Sequence, residues 1–193
     1  MSSARVAKLD RKLSSTDFRD AMRYLIGAVS VITVGQGQDV SGMAVTSVSS
    51  LSLDPPTLIV SVNRSSSSWP LLKRYGSFGV NILTSDQLDL AERFAGEVGL
   101  KGAERFVGAE WTTAASGVPL LVAGLAALDC RVEEIMERYT HAIVVGRVVE
   151  VRRSFRSAAL AYWHGQYVAV DQDEDAIRLA EVSLPAALGR RPS

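Results

Sequence analysis

Four consecutive serines, Ser65-Ser66-Ser67-Ser68, run directly into Trp69-Pro70-Leu71-Leu72-Lys73-Arg74-Tyr75. Pro70 just inside the start and Gly76 just past the end predict a short helix. Free backbone N–H groups at a helix start, its dipole and the added hydroxyls favour a phosphate. The same run also fits a flexible linker that ends in an N-cap serine. A second segment, Gly42–Ser50 (GMAVTSVSS), concentrates small and hydroxyl side chains. Small residues let a flat ligand lie against backbone, and hydroxyls meet the polar edge of a ring. A strand with a solvated face has the same composition. His141 follows Thr140 at the start of an apolar strand, and suits a proton donor or ring contact as well as a plain strand end. Arg105, in Ala103-Glu104-Arg105-Phe106, can pair bidentately with a phosphate or simply be solvated.

Other chemistries lack their residues. Gly35-Gln36-Gly37 is no dinucleotide fingerprint, because a strand follows it and the third glycine is missing. There is no Walker A loop, no nucleophile elbow and no metalloprotease helix motif. The two histidines, His141 and His164, have no second His or Cys at ligand spacing, so no metal is expected. The single cysteine, Cys130, has no His nearby in sequence and reads as packed and inert.

Bulk properties exclude more. Lys plus Arg (21) balance Asp plus Glu (21), so no global field attracts nucleic acid. The longest near-apolar stretch, Pro119–Leu128, is too short to span a bilayer, so no membrane is expected. The opening MSSARVAKLDRKL lacks the apolar segment of a secretory signal, and one cysteine forms no internal disulfide. A cytoplasmic location is the resulting expectation.

The positioning elements follow from periodicity. Residues 1–14 read as an arm, 15–170 as one domain, and 171–193 as a mobile tail. Ser15-Thr16-Asp17 offers N-cap chemistry, and Phe18, Ala21, Met22, Leu25 and Ile26 form one apolar helical face ending at Gly27. Ala28–Val34 and Val40–Ser50 then read as strands about a Gly35–Asp39 hairpin loop. Asp54-Pro55-Pro56 forces a corner before Thr57–Asn63. Another strand covers Ser77–Leu83. Thr84 or Ser85 caps a helix carrying Leu88, Ala91, Phe94 and Ala95, and Gly96 ends it. Residues 97–119 form a long loop. Leu125–Glu137 and His141–Arg152 make two long antiparallel strands with a bulge at Gly146. Ala158–Trp163 reads as a helical turn and Tyr167–Val170 as a last strand. Six or seven strands without β-α-β alternation predict a mostly β, closed or partly closed antiparallel barrel.

In order and spacing, these segments resemble the short-chain flavin reductase family, the reductase components of two-component flavin-dependent monooxygenases such as hydroxyphenylacetate hydroxylase. The resemblance runs from Phe18 to Val170. It is carried by FRDAMRYLIGAVSVITV, GMAVTSVSSLSLDPP, LIVSVNRSSSSWPLL, FGVNIL, AERF before Trp111, THAIVVGRV and YWHGQY. It implies a split-barrel FMN-binding fold, an antiparallel Greek-key barrel with a few short helices, and a homodimer with flavin near the interface. It further implies an NAD(P)H:flavin oxidoreductase that supplies reduced FMN or FAD to an oxygenase component, using NADH or NADPH.

Carried over by residue, Val45, Thr46 and Ser47 line the flavin ring, and Ser61, Val62 and Asn63 continue that wall. Ser66, Ser67 and Ser68 hold the phosphate, with Arg105 as a further anion partner. His141 meets the nicotinamide, and Tyr167 is the aromatic near the flavin. The family has Gly-Asp before that histidine, where this chain has Tyr139-Thr140. A tightly FMN-bound reductase of another acceptor, a non-catalytic flavin-binding module and a plain dimeric barrel are the competing readings. Few titratable groups suit a reaction whose chemistry belongs to the cofactors.

Overall fold

The computed structural model describes residues 13–154 and 158–171. The expected arm up to residue 12 and the tail beyond 171 lie outside the described residues. The first helix, α1 (Ser15–Met22), starts at Ser14, whose hydroxyl accepts from the Asp17 N–H while Asp17 answers the Ser14 N–H. That reciprocal cap offsets the entropy of an isolated two-turn helix. The helix is shorter than its apolar spacing predicts. It stops at Met22, before Leu25 and Ile26, and buries none of its own residues.

The strands are β1 (Gly27–Ala28), β2 (Ser30–Gln36), β3 (Asp39–Val45), β4 (Val48–Leu53), β5 (Pro56–Asn63) and β6 (Ser77–Ile82). After them come β7 (Trp111–Thr113), β8 (Pro119–Leu121), β9 (Ala126–Arg138), β10 (His141–Arg153), β11 (Ala159–Trp163) and β12 (Gln166–Val170). Between β5 and β6 lies α2 (Trp69–Tyr75), and after β6 comes α3 (Leu88–Ala95). A 3-10 turn at Gly102–Phe106 breaks the expected long loop. The strand count exceeds the six or seven expected, because Val29 divides one predicted strand and Thr46-Ser47 divides another. Ala159–Trp163 is a strand rather than a helical turn, because it pairs with β1 on one side and β12 on the other. The hairpin between β2 and β3 turns on Gly37-Gln38 alone, and α3 starts after Gln87, whose side chain accepts from the Thr84 N–H.

Seven strands form one antiparallel sheet in the order β3-β2-β6-β9-β10-β5-β4. Its two edge strands are consecutive in the chain, joined only by Thr46 and Ser47. A sheet whose edges are tied by two residues must curl into a barrel. The edges nevertheless do not pair, so the barrel is split between β3 and β4.

β2 is buried on both faces. Ile32 and Val34 enter the barrel interior with Val60, Leu72, Phe78, Val80 and Val144. Val31, with Val29 just ahead of the strand, packs outward with Leu83, Leu90, Phe94, Leu121 and Leu160. This period-2 division gives one strand two cores, each buried side chain contributing about 1.5–3 kcal/mol. Asn81 holds β2 and β8 together: its amide donates to the Val31 carbonyl (3.0 Å) and its oxygen accepts from the Leu121 N–H (2.7 Å). A buried polar side chain satisfied at both ends costs little and sets register.

The register shift expected at Gly146 is present between Val145 and Gly146. A Cβ at Gly146 would stand 2.4 Å from the Phe78 ring and 3.3 Å from the Cys130 Cβ. Gly146→Ala is therefore expected to cost about 1–3 kcal/mol by overpacking. Urea denaturation of the variant against the parent measures it, and an unchanged midpoint contradicts this packing account.

Candidate active site

A cavity of about 630 Å³ lies at the split. That is the size of a cofactor pocket. Of the residues singled out in the sequence, all but Val62 and Ser68 line it: Val45, Thr46, Ser47, Ser61, Asn63, Ser66, Ser67, Arg105, His141 and Tyr167. Strand alternation sends Val62 into the barrel core while Ser61 and Asn63 face the cavity. Ser68 is fully buried as the N-cap residue of α2, and its hydroxyl donates to the Ser41 hydroxyl (3.2 Å) rather than facing the cavity.

Each lining residue has a physical reason for its place. The Asn63 side chain accepts from the Ser65 N–H (3.0 Å) and hydroxyl (2.7 Å), an Asx turn that folds the serine run back beside β3. The Ser67 hydroxyl then meets that of Ser41, 3.0 Å away. The Ser66 hydroxyl is buried without a hydrogen-bond partner among the described residues. Such a group costs about 1–3 kcal/mol until something pairs with it. At seven residues, α2 offers only a small dipole, so hydroxyls supply this corner with its donors.

Arg105 reaches the same cavity from the 3-10 turn. Its Nε donates to the Leu100 carbonyl (2.8 Å) and its Nη1 to the Gly42 carbonyl (2.8 Å). Two anchored donors hold the guanidinium plane, and three of its five N–H groups remain for other acceptors. Gly42 itself has no room for a side chain, since a Cβ would stand 2.6 Å from the Phe94 ring and 2.7 Å from the Ile32 carbonyl oxygen.

His141 begins β10, opposite Asn63 on β5. Arg64 clamps this hairpin end: its N–H donates to the Thr140 carbonyl (3.0 Å), its Nη1 to the Tyr139 carbonyl (2.9 Å), and Nη2 pairs with Glu137 at 2.5 Å. The Thr140 hydroxyl lies 2.9 Å from the His141 Nδ1, in place of the aspartate that the family resemblance implies there. If that hydroxyl donates to Nδ1, the ring proton of neutral histidine sits on Nε2.

Tyr167 lies edge-on to Tyr162, with centroids 5.1 Å apart. Burial, followed by the charge of Glu97, raises its phenol above the ordinary value, so it stays a neutral donor across the neutral range. Cys130 is outside the cavity. Burial, followed by the Asp129 charge, pushes its thiol up to about 12, which leaves it inert as expected.

Phe94, Glu97 and Tyr162 also line the cavity and were not singled out in the sequence. Phe94 carried only a helix-periodicity signal. Tyr162 falls in the segment whose spacing reads as a helical turn, which masks its strand-face position. Gly42, Met43 and Ala44 were legible as a run of small residues. Among the described residues, no group of three His, Cys, Asp or Glu side chains is placed to hold a metal. Among the same residues, no helix is long and apolar enough to cross a membrane.

A seven-stranded antiparallel barrel, split between consecutive strands with a cavity in the gap, is the architecture of the split-barrel flavin-binding proteins. The chain belongs to the family of the flavin reductase like domain, whose model matches residues 22–171. It is 38% identical over 151 residues to the FMN reductase (NADH) RutF of Stutzerimonas stutzeri, covering 78% of this chain and 86% of that one. RutF 2 of Rhizobium rhizogenes, also an FMN reductase (NADH), is 37% identical over 154 residues, 80% of this chain and 88% of its own. Among solved structures, it is similar to BorF, the flavin reductase component of a bacterial two-component tryptophan halogenase. There the TM-score is 0.76 at 31% identity, over 83% of this chain and all of that one.

The two-residue β9–β10 turn places Tyr139 at φ +52, its side chain 93% exposed. A positive φ at the first turn position is a conformation in which glycine is favoured over a residue with a Cβ. Tyr139→Gly is expected to stabilise the fold by about 1 kcal/mol, because it relieves a left-handed residue that makes little side-chain contact. Thermal and chemical denaturation measure the gain, and a loss of stability refutes the strain.

Proposed function

We propose that this protein is an NADH-dependent flavin reductase that reduces FMN and releases it to a separate oxygenase. The observation that carries the reading is the cavity itself. At one end it gathers Ser66, Ser67 and the anchored Arg105. Along its wall stands the edge backbone of Val45-Thr46-Ser47. These fit a phosphate and a flat ring respectively, and the relatives named above as FMN reductases (NADH) support the same pairing.

Bound flavin would accept two electrons from a reduced nicotinamide. The chain's part is to bind, orient and screen. Ser66, Ser67 and the remaining Arg105 donors hold the phosphate by charge-assisted hydrogen bonds. Edge N–H groups of β3 lack a strand partner across the split, and meet the polar rim of the ring where negative charge develops. Ser61 and Asn63 complete that wall. His141, steadied by Thr140 and by the Arg64 clamp, contacts the nicotinamide and holds a proton at Nε2. Tyr167 closes the cavity on the β12 side as a neutral phenol.

The assembly we propose is a homodimer in the cytoplasm, where NADH is at hand. Leu51 and Leu53 on β4 and Val149 and Val151 on β10, the two strands that flank β5, stand exposed, Leu53 at 91%. Large apolar side chains left in water on these strands call for a cover. Light scattering is expected to give twice the chain mass, and Leu53→Asp to shift it toward monomer. A monomeric parent over the working concentrations rejects this assembly.

NADH oxidation by purified protein, with FMN, FAD or no added flavin, tests the activity. Saturable, flavin-dependent oxidation with FMN and NADH preferred is expected. Flavin binding without any oxidation returns the reading to a non-catalytic flavin module. Ser66→Ala with Ser67→Ala is expected to weaken FMN binding by about 1 kcal/mol or more per lost contact. His141→Ala is expected to raise KM for NADH more than for flavin. Unchanged FMN affinity, or the reverse KM pattern, removes the respective assignment.

A further inference from the structure

Arg19 and Arg23 have no part in the site described so far. They stand one helical turn apart, so the end of α1 presents both on one face. Both line a second cavity of about 350 Å³, which shares Thr46 and Tyr162 with the first. Among the described residues, neither guanidinium pairs with a carboxylate.

Their position does not depend on α1 alone. The His164 N–H donates to the Arg23 carbonyl (2.9 Å) and the Trp163 indole N–H to the Tyr24 carbonyl (3.3 Å). These bonds pin the helix end to the β11–β12 hairpin. Gly165, at φ +80, lies against the Arg23 guanidinium with no side chain between them. Two cations held at the rim of a cavity, with no carboxylate partner among the described residues, call for an anion of matching charge.

We infer that this second cavity takes the adenosine-pyrophosphate half of the nicotinamide dinucleotide, with Arg19 and Arg23 as its anion partners. The inference rests on the reductase reading, because that reading orients the flavin. The phosphate corner is marked by Ser67, beside Ser41 near the start of β3. Thr46 lies five residues further on, about 16 Å at strand rise. The flavin therefore runs from the serine corner toward Thr46, with its ring at the Thr46 end. A nicotinamide laid on that ring carries its pyrophosphate past Thr46 and Tyr162 into the second cavity. The pyrophosphate of FAD would start from the serine corner and would have to double back along the whole ring. The geometry thus favours the nicotinamide source. Two guanidiniums match the two ionised phosphates of a pyrophosphate bidentately.

The full-length protein tests this with two reductants, NADH and reduced nicotinamide mononucleotide, which lacks the adenylate. In the Arg19→Ala, Arg23→Ala double variant, KM for NADH is expected to rise about tenfold or more. KM for the mononucleotide and the Kd for FMN are expected to change little. Arg19→Lys with Arg23→Lys, which keeps charge without the fork, is expected to fall between. An equal loss with both reductants overturns the inference, because the effect is then not on the adenylate. A fall in FAD affinity relative to FMN, with KM for NADH unchanged, also overturns it and gives the cavity to the flavin's adenylate. Absence of NADH oxidation in the parent protein removes the reductase reading separately. Calorimetry with ADP then still decides the cavity: binding that the double variant loses upholds it as an adenylate site, and no binding overturns it.

Discussion

The two edge strands of the seven-stranded sheet, β3 and β4, are separated by only two residues of chain. Backbone connectivity brings them close, while the sheet's own pairing has already placed them at opposite ends of its order. The sheet resolves this by curling until its edges approach without forming a ladder. A gap between two unpaired edges is then unavoidable, and backbone polar groups line it. Elsewhere such an edge would be an aggregation hazard. Here Arg105 occupies part of it by donating to the Gly42 carbonyl, and the cavity takes the rest.

The surrounding elements hold that gap open at a set width. α3 and the 3-10 turn pack along β3, with Phe94 against Gly42 at a distance that admits no larger residue. On the other side, the Asx turn at Asn63 and the Arg64 clamp tie the serine loop to the β9–β10 hairpin. Exposed ion pairs such as Arg64–Glu137 contribute little stability singly. Their value here is positional: one residue, through its backbone N–H and its guanidinium, fixes both carbonyls of the turn before His141. A binding group beside a two-residue turn between long paired strands has little freedom left, which suits a reaction that needs alignment more than acid–base power.

Much of the chemistry was legible because it lies in local runs. The serine tetrad, the small-residue strand, Arg105 and His141 stand out by type and order, and their order resembles one family. The apolar periodicity of Leu90, Ala91 and Phe94 likewise marks α3. Other features misled because the signal was local and the cause was not. Ala159–Trp163 reads as a turn of helix until β1 and β12 flank it as partners. The apolar face from Phe18 to Ile26 predicts a longer, buried helix, yet the chain leaves α1 at Met22 to join the β11–β12 hairpin.

By itself the sequence determined which residue types are present at which spacing: strand alternation, helix ends at glycine and a donor-rich loop. Those are properties of neighbours along the chain, and short-range sterics and hydrogen bonding decide them. Only the tertiary structure decided that one strand breaks at Thr46-Ser47, that Val62 and Ser68 turn into the core while their neighbours face the cavity, and that Arg19 and Arg23 line one cavity with Tyr162. Those outcomes depend on pairings between segments far apart in sequence, where one residue of register moves every side chain to the opposite face.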